Sequence, residues 1–327
     1  MSLSPEEPAS PLPDGLVLGI DIGGTKIAIG LVDSDGNVLA VDRTPSPAKK
    51  LGDAMWDALN RLADSVLDAA GNPELIGVGV GCAGPMIWPE GIVSPTNIIG
   101  WREFPLRRKL QERFPGIPVR LHNDAICMVI AENWKGAAQG HQNVLGIVVS
   151  TGVGGGLISD GKLLNGGFGN AGHIGHIVVD PNGPSCRCGG RGCLEAIARG
   201  PATSAWAVEE GWSPMTPGDP ASAETLAKDA RAGDPIAIEA YGRAGQALGV
   251  GLASVASLLD LDIAVVGGGL SQAGDLLMGP AKRTFAEHAG MTFVKRMKIV
   301  TADLDQEAGV VGAAALFAHG GRYWNTD

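Results

Sequence analysis

The chain has 327 residues, 45% of them hydrophobic, and a formal charge of −10 with Lys and Arg scattered rather than massed. That is apolar material enough for two cored domains, and the charge excludes a surface built to neutralise a nucleic-acid backbone. Five cysteines are too few for a disulfide scaffold, no apolar run reaches bilayer-spanning length, and the start lacks a signal-peptide pattern, so a cytoplasmic protein with neither membrane nor nucleic acid as partner is expected.

Residues 1–15, polar and proline-rich, read as a disordered tail. From residue 16 the pattern is strand, glycine turn, strand (LVLGIDIGG, then KIAIGLVDSDGNVLAVDRT), with DSDGN suited to a hairpin turn. Residues 52–70 carry apolar side chains at helical spacing and stop at Gly-Asn-Pro. LIGVGVGCAGPM reads as a buried strand entering a turn, WREFPLRRKLQERF as a helix, and IPVRLHNDA as a strand that delivers His122, Asn123 and Asp124 to its exit. The second half repeats this outline: NVLGIVVSTGVGGGLISDGKLL is again strand, glycine turn, strand, and LDIAVVGGGLS is a strand ending in glycines. Residues 211–223 read as a surface loop, and a last helix from about residue 308 to 319 is expected to return to the first half. The expected division is therefore a small α/β domain at 16–122, joined by 308–327, and a large α/β domain at 123–307.

Glycine, at 50 residues, is about twice its usual share of roughly 7%, and it clusters after apolar β-type runs. In DIGGTK, Asp21 precedes Gly23, Gly24, Thr25 and Lys26; in STGVGGG, Thr151 and Gly152 precede Gly154 and Gly155. Each is either a tight hairpin or a place where backbone N–H groups and a hydroxyl converge on phosphate oxygens with no Cβ in the way. A third segment, VVGGGLS, adds Gly268 and Gly269. None of them has the layout of a P-loop or of a GxGxxG motif opening a helix, so a nucleotide is implied on a different fold.

These three segments, in this order and spacing, resemble the two phosphate segments and the adenosine segment of the superfamily of sugar kinases, actin and 70-kilodalton heat-shock ATPases. The run AGHIGHIVVDPNGPSCRCGGRGCLE is similar to that of the ROK family of bacterial sugar kinases and sugar-responsive repressors. The resemblance spans residues 16–318. It implies an α/β protein of two ribonuclease H-like domains, the actin-like ATPase arrangement, with a cleft between them and a zinc knuckle. His176, Cys186, Cys188 and Cys193 supply one imidazole and three thiolates, a set that closes tetrahedrally around a structural Zn²⁺, with a redox cluster as the rival reading.

The resemblance also assigns roles. Asp124 matches the family's catalytic base, and Asn123 would hold neighbouring hydroxyls; a helix N-cap at this Asn-Asp pair satisfies the same residues. Glu195 matches a sugar-binding glutamate, and the histidine matching His176 faces the sugar as well as the metal; Ser94, Asn97 and the Gly84-Pro85 turn either line the opposite side or are simply polar loop residues. Asp21 matches the aspartate that approaches the Mg²⁺ of Mg-ATP, while Lys26 is either part of that site or a solvated charge. Cys82 and Cys127 read as core residues. ATP, Mg²⁺ and Zn²⁺ are the implied cofactors, a small sugar the partner, and a homodimer or dimer of dimers the assembly. Repressors of the family carry a helix-turn-helix ahead of the first glycine loop, where this sequence has about 15 proline-rich residues, which points to the kinase branch. His173 stands where the family's glucokinases read glutamate, as in bacterial N-acetylmannosamine kinases; an imidazole could donate to an acyl carbonyl, so glucose and N-acetylmannosamine both remain open.

Overall fold

The structure is a computed structural model that describes residues 15–47, 52–95, 98 and 100–324. The tail expected at 1–15 therefore falls outside it up to residue 14, as do Asn97 and the last three residues. In chain order come β1 (Leu16–Ile22), β2 (Lys26–Val32), β3 (Val38–Pro45), α1 (Gly52–Ala69) and β4 (Leu75–Cys82). A small sheet of β5 (Met86–Ile87), β6 (Ile92–Val93) and β7 (Phe104–Pro105) precedes α2 (Leu106–Arg113), β8 (Val119–Asn123) and α3 (Asp124–Lys135). Next are β9 (Val144–Val149), β10 (Val153–Ser159), β11 (Lys162–Leu163), α4 (Leu194–Ala198), α5 (Gly200–Glu209), α6 (Ala223–Arg231) and α7 (Pro235–Leu259). The chain finishes with β12 (Ile263–Gly267), α8 (Asp275–His288), β13 (Lys298–Thr301), α9 (Ala308–Ala318) and α10 (Gly320–Tyr323).

The strands form two five-stranded sheets of the same plan, β3-β2-β1-β4-β8 and β11-β10-β9-β12-β13. In each, an antiparallel hairpin leads into parallel neighbours, β1 with β4 and β9 with β12. The outer face of the first sheet, including Leu18, Ile20, Ile29 and Val80, packs on Leu59, Leu62 and Val66 of α1 and on Leu106 and Leu110 of α2. The outer face of the second packs on α4 to α8. Between the sheets run α3 and α9, and α9 lies against β1, β2 and β4.

Glycine makes that middle layer possible. Within the strands Gly19, Gly30, Gly77 and Gly79 all face α9, where a Cβ would meet Val310, Phe317 or the backbone of Ala313. On the second sheet Gly146, Gly154 and Gly156 face α3 in the same way, against Val129, Ala125 and Ile126. Much of the glycine that reads in sequence as close approach to a ligand is close approach of helix to sheet.

Two elements differ from the sequence reading. The helix expected over 101–114 starts only at Leu106, because Pro105 fixes its entry and residues 104–105 pair as β7; Trp101 is instead buried, its ring stacked 4.4 Å from Phe104. The 25-residue α7 gives little periodic signal, because small residues dominate it: Gly245 and Gly249, one turn apart, admit the backbone of α8, with a Cβ at either falling 2.5 Å from Leu277 or Ala281 oxygen. The loop expected at 211–223 is irregular up to residue 222, yet Trp212 within it is buried and donates to Asp229 Oδ2 at 3.1 Å.

The α3–α9 crossing yields the first prediction. A Cβ at Gly312 would collide with the carbonyl of Cys127, whereas one at Gly321 meets nothing within 4 Å. Gly312→Ala is expected to lower stability by at least the roughly 1–3 kcal/mol typical of overpacking, and Gly321→Ala to leave it unchanged or raise it. Urea titration of the two variants checks this; equal midpoints would show that the crossing has room to spare.

Candidate active site

Two carboxylates define the floor of the space between the sheets. Asp21 ends β1 and Asp124 opens α3, and both are partly buried. Burial, and then the negative charge of Asp124, push the Asp21 carboxyl up to about 7 from the ordinary 3.8; Lys26 and Arg43 act in the opposite sense. Burial also raises Asp124, opposed by the Ala125 amide and His173. Two buried acids whose ionisation is resisted in this way form a site prepared for a cation or a proton.

Asn123 is the N-cap of α3, its Oδ1 accepting from the Ala125 amide at 3.0 Å. Asp124 Oδ1 accepts from the same amide at 2.8 Å. The capping alternative is thus realised, and it fixes the direction of both side chains: Asn123 Nδ2 turns to Gly84, where a Cβ would stand 2.9 Å from it and 3.9 Å from His173 Nε2. Gly84, Asn123 and His173 converge, beside Asp124. His173 Nδ1 lies 2.8 Å from the Asn170 carbonyl, which can only accept, so the neutral ring carries its proton there and presents Nε2 as a bare acceptor. The outward donor expected of His173 is therefore already committed.

The glycine loops lie at the same edge of the two sheets. In the first, the Gly23 amide donates to Lys26 oxygen at 3.0 Å and Ser46 donates to Thr25 and Gly23 oxygens, leaving Thr25 exposed. Lys26 Nζ reaches Gln306 Oε1 at 3.5 Å. In the second, Thr151 is exposed and Gly152 sits against Glu195, whose Oε2 accepts from the Val153 amide at 2.9 Å. Gly154 faces Ala125, and Gly155 lies between the carbonyls of Gly146 and Gly172, so packing accounts for glycine at both. Gly268, with φ of +92°, is wedged against Val149, and Gly269 lies near Ser150, so the third segment adjoins the second loop.

His176, Cys186, Cys188 and Cys193 place their ligand atoms within 4.8 Å of one another. A tetrahedral centre with Zn–S bonds of about 2.3 Å holds its sulfurs about 3.8 Å apart. Cys188 and Cys193 Sγ are 3.7 Å apart, and Cys186 Sγ is 3.8 Å from His176 Nδ1. Burial and the adjoining sulfurs push Cys193 up to about 12, as expected of packed thiols without a cation to balance them. The donor set and spacing fit a structural zinc. The His176 ring stacks 6.4 Å from that of His173, which places the cluster behind the His173 wall.

Two residues receive no role from the sequence reading. Glu132, fully buried in α3, accepts from the amides of Ala137, Asp303 and Leu304 at 2.8–3.1 Å, tying α3 to the segment just before α9. His122, also fully buried, precedes the Asn-Asp pair with both ring nitrogens engaged. A glutamate in an apolar helix flags only the first.

With this geometry in place, the family model described as the ROK family matches residues 17–319. The chain belongs to the ROK family. It is 37% identical over 316 residues to a glucokinase of Streptomyces coelicolor, covering 92% of this chain and 97% of the relative. It is 34% identical over 301 residues to an N-acetylmannosamine kinase of Citrobacter koseri, covering 91% and 97%. A crystal structure of a ROK glucokinase from Streptomyces griseus, in complex with glucose and AMPPNP, superposes with a TM-score of 0.81 at 35% identity, covering 94% of this chain and all of that one. The mixed α/β architecture is that of ROK sugar kinases, the actin-like ATPase fold.

Two measurements test the site in this ROK chain without turnover. Cys188→Ser should lower the zinc content from about one per chain toward zero by elemental analysis, with a fall in thermal stability; wild-type protein free of zinc would refute the assignment. Because the folded Asp21 carboxyl titrates near 7, above its ordinary 3.8, its contribution to stability is present below about pH 4 and is lost as pH rises through 7. In chelator, Asp21→Asn should therefore match wild type near pH 4, gain on it as pH rises from 4 to 7, and exceed its Tm by on the order of 2–4 °C at pH 8. A variant less stable at pH 8 would show that the carboxylate is compensated in place.

Proposed function

We propose that this ROK protein is an ATP-dependent hexose kinase, transferring the γ-phosphoryl group of ATP to the 6-hydroxyl of a hexose. The observation that carries the reading is Asp124, partly buried at the first turn of α3, with Asn123 Nδ2 and His173 Nε2 beside it and Asp21 across from it. Phosphoryl transfer needs little covalent help from a protein beyond placement, charge balance and an acceptor for the hydroxyl proton. Asp124 takes that proton as the sugar oxygen forms its bond to phosphorus and the bond to the leaving diphosphate breaks. The Ala125 amide engages one Asp124 oxygen and leaves the second for the hydroxyl. Glu195, held by the Val153 amide, keeps its other oxygen for a sugar hydroxyl, and Asn123 offers its amide as a donor.

Asp21 is the residue that would approach a phosphate-bound Mg²⁺, and a dication there supplies the charge that neutralises the phosphates. The exposed Thr25 and Thr151 and the amides of Gly24 and Gly152 would contact those phosphates, while the Gly23 amide is held within the turn. His176, Cys186, Cys188 and Cys193 would hold a structural zinc that fixes the wall formed by His173.

For the sugar, the committed proton of His173 favours an unsubstituted hydroxyl facing Nε2, the same demand a glutamate makes, and we take glucose as the first substrate. N-acetylmannosamine is the second reading, supported by the histidine itself at this position and by the Citrobacter koseri relative. A coupled assay over a panel of sugars with ATP tests the class. Asp124→Asn should keep sugar affinity within a few-fold while kcat falls by roughly 10²–10⁴; a variant retaining most of its kcat removes Asp124 as the base. His173→Glu should leave the ratio of kcat/KM for glucose to that for N-acetylmannosamine within about threefold, because both side chains accept. A tenfold shift toward glucose would mean instead that the imidazole donates to the acyl group.

A further inference from the structure

His122 has no part in the chemistry described, yet it is fully buried and sits at the junction of the two sheets. The Asn123 amide donates to its Nδ1 at 2.9 Å, so Nδ1 carries no proton. The proton is on Nε2, which lies 3.0 Å from Asn165 Oδ1 and donates to it. Burial pulls the ring down to about 4, against the Asn165 bond, so this neutral tautomer is the working state at neutral pH. Trp88 covers the ring at 5.5 Å.

Asn165 opens the segment that carries His173. Its carbonyl accepts from the Ala171 amide at 3.1 Å, and Asn170 oxygen holds His173 Nδ1. The segment follows β11 of the second sheet but is seated on the first half of the chain. Asn170 Nδ2 reaches Met86 oxygen at 3.4 Å, and Gly169, with φ of +73°, lies where any Cβ would strike Trp88. One imidazole thus grips, on one side, the amide of the residue before Asp124 and, on the other, the loop that aims Nε2 of His173.

We propose that His122 is a positioning residue that sets the register between the Asn123-Asp124 pair and the His173 loop, and so assembles the two walls of the sugar site across the two sheets. This rests on the hexose-kinase reading. The imidazole of His122 cannot be replaced piecemeal: asparagine keeps an acceptor near the Nδ1 position but is too short to reach Asn165. Misplacement of about 1 Å at a reacting pair costs on the order of 10²-fold, so a loosened register has a kinetic signature.

The test uses His122→Asn, Asn165→Ala and Asn165→Asp in the full chain, together with the double variant of the first two. Asn165 is only partly buried, so its variants bear on the proposal even where the substitution at His122 unfolds the protein. Expected are a rise of about tenfold or more in sugar KM for Asn165→Ala and His122→Asn, a change within about twofold in ATP KM, and a double variant no worse than His122→Asn alone. Asn165→Asp, which keeps the acceptor, should recover most of the loss. Sugar KM within about twofold of wild type in Asn165→Ala, equal increases for sugar and ATP, or additive losses would each overturn the proposal. If the wild type phosphorylates no sugar, the kinase reading fails on its own, and nitrogen chemical shifts of the His122 ring then decide the linkage: a protonated Nε2 that is perturbed by Asn165→Ala supports it, and an Nδ1–H tautomer sinks it.

Discussion

The crossing of α3 and α9 between the sheets is the contact on which the site depends. At Gly312 the two helices approach until the carbonyl of Cys127 occupies the space of a side chain, and the strand glycines on either side let each helix lie on its sheet. The crossing places both N-terminal turns at the same end of the cleft. Asp124 stands in the first turn of α3, and Asp21 lies against Gly309 in the first turn of α9. Unpaired amides and the positive end of each helix favour negative charge there, which offsets part of the cost of burying two acids together. Burial nonetheless raises both carboxyls, and the charge of Asp124 adds to it at Asp21, which leaves room for a dication to reverse the balance.

The C-terminal part of α3 is tied with equal care. Glu132 spends both oxygens on backbone amides, two of them from the segment entering α9 some 171 and 172 residues away. Asn133, its neighbour, donates to Ala138 and His141 oxygens and accepts from the Tyr323 hydroxyl at 2.8 Å. A buried carboxylate with every partner in place costs little to keep and much to break, since loss of the side chain would orphan several amides at once. The crossing angle, and with it the placement of Asp21 relative to Asp124, is thereby set from the end of α3 remote from the chemistry.

What the sequence made legible was local. DIGGTK, STGVGGG, VVGGG, HNDA and the cysteine run each carry their residues within a short stretch, the longest being His176 to Cys193, and hairpin, cap or ligand chemistry can be read from such spacing. What it hid was anything whose partner is distant. His122 and Asn165 are 43 positions apart, and nothing in either neighbourhood announces the other. Glycine misled for a related reason: a glycine that admits a helix and one that admits a phosphate look the same in a string, and Gly154 and Gly19 are told apart from ligand glycines only by what lies opposite. The helices over 200–209 and 235–259 leave little trace in the sequence because alanine and glycine contacts give no strong apolar stripe.

The knuckle shows how a local motif comes to govern a distributed site. Val178 and Cys193 form a β-bridge, the Leu194 amide donates to Ile177 oxygen at 3.0 Å, and the Val179 amide donates to Gly192 oxygen at 2.9 Å, so both arms of the cysteine run are laced together. One arm leads back through His176 to His173, and the other leads on to Glu195 two residues later. The first is pressed onto β10 at Gly175, and the second bonds the Val153 amide of the same strand. A cation closing the four-ligand set would therefore stiffen His173, Glu195 and the second glycine loop through a single strand. Asp124, in contrast, is placed by the cap of α3 and by the strand exit at β8, and a hydrogen-bonded route from that exit to the His173 loop runs through the His122 ring, the side chain and carbonyl of Asn165, and the Asn170 carbonyl. On the hexose-kinase reading, that route brings Asp124 and the wall formed by His173 into one frame through an imidazole with both nitrogens engaged.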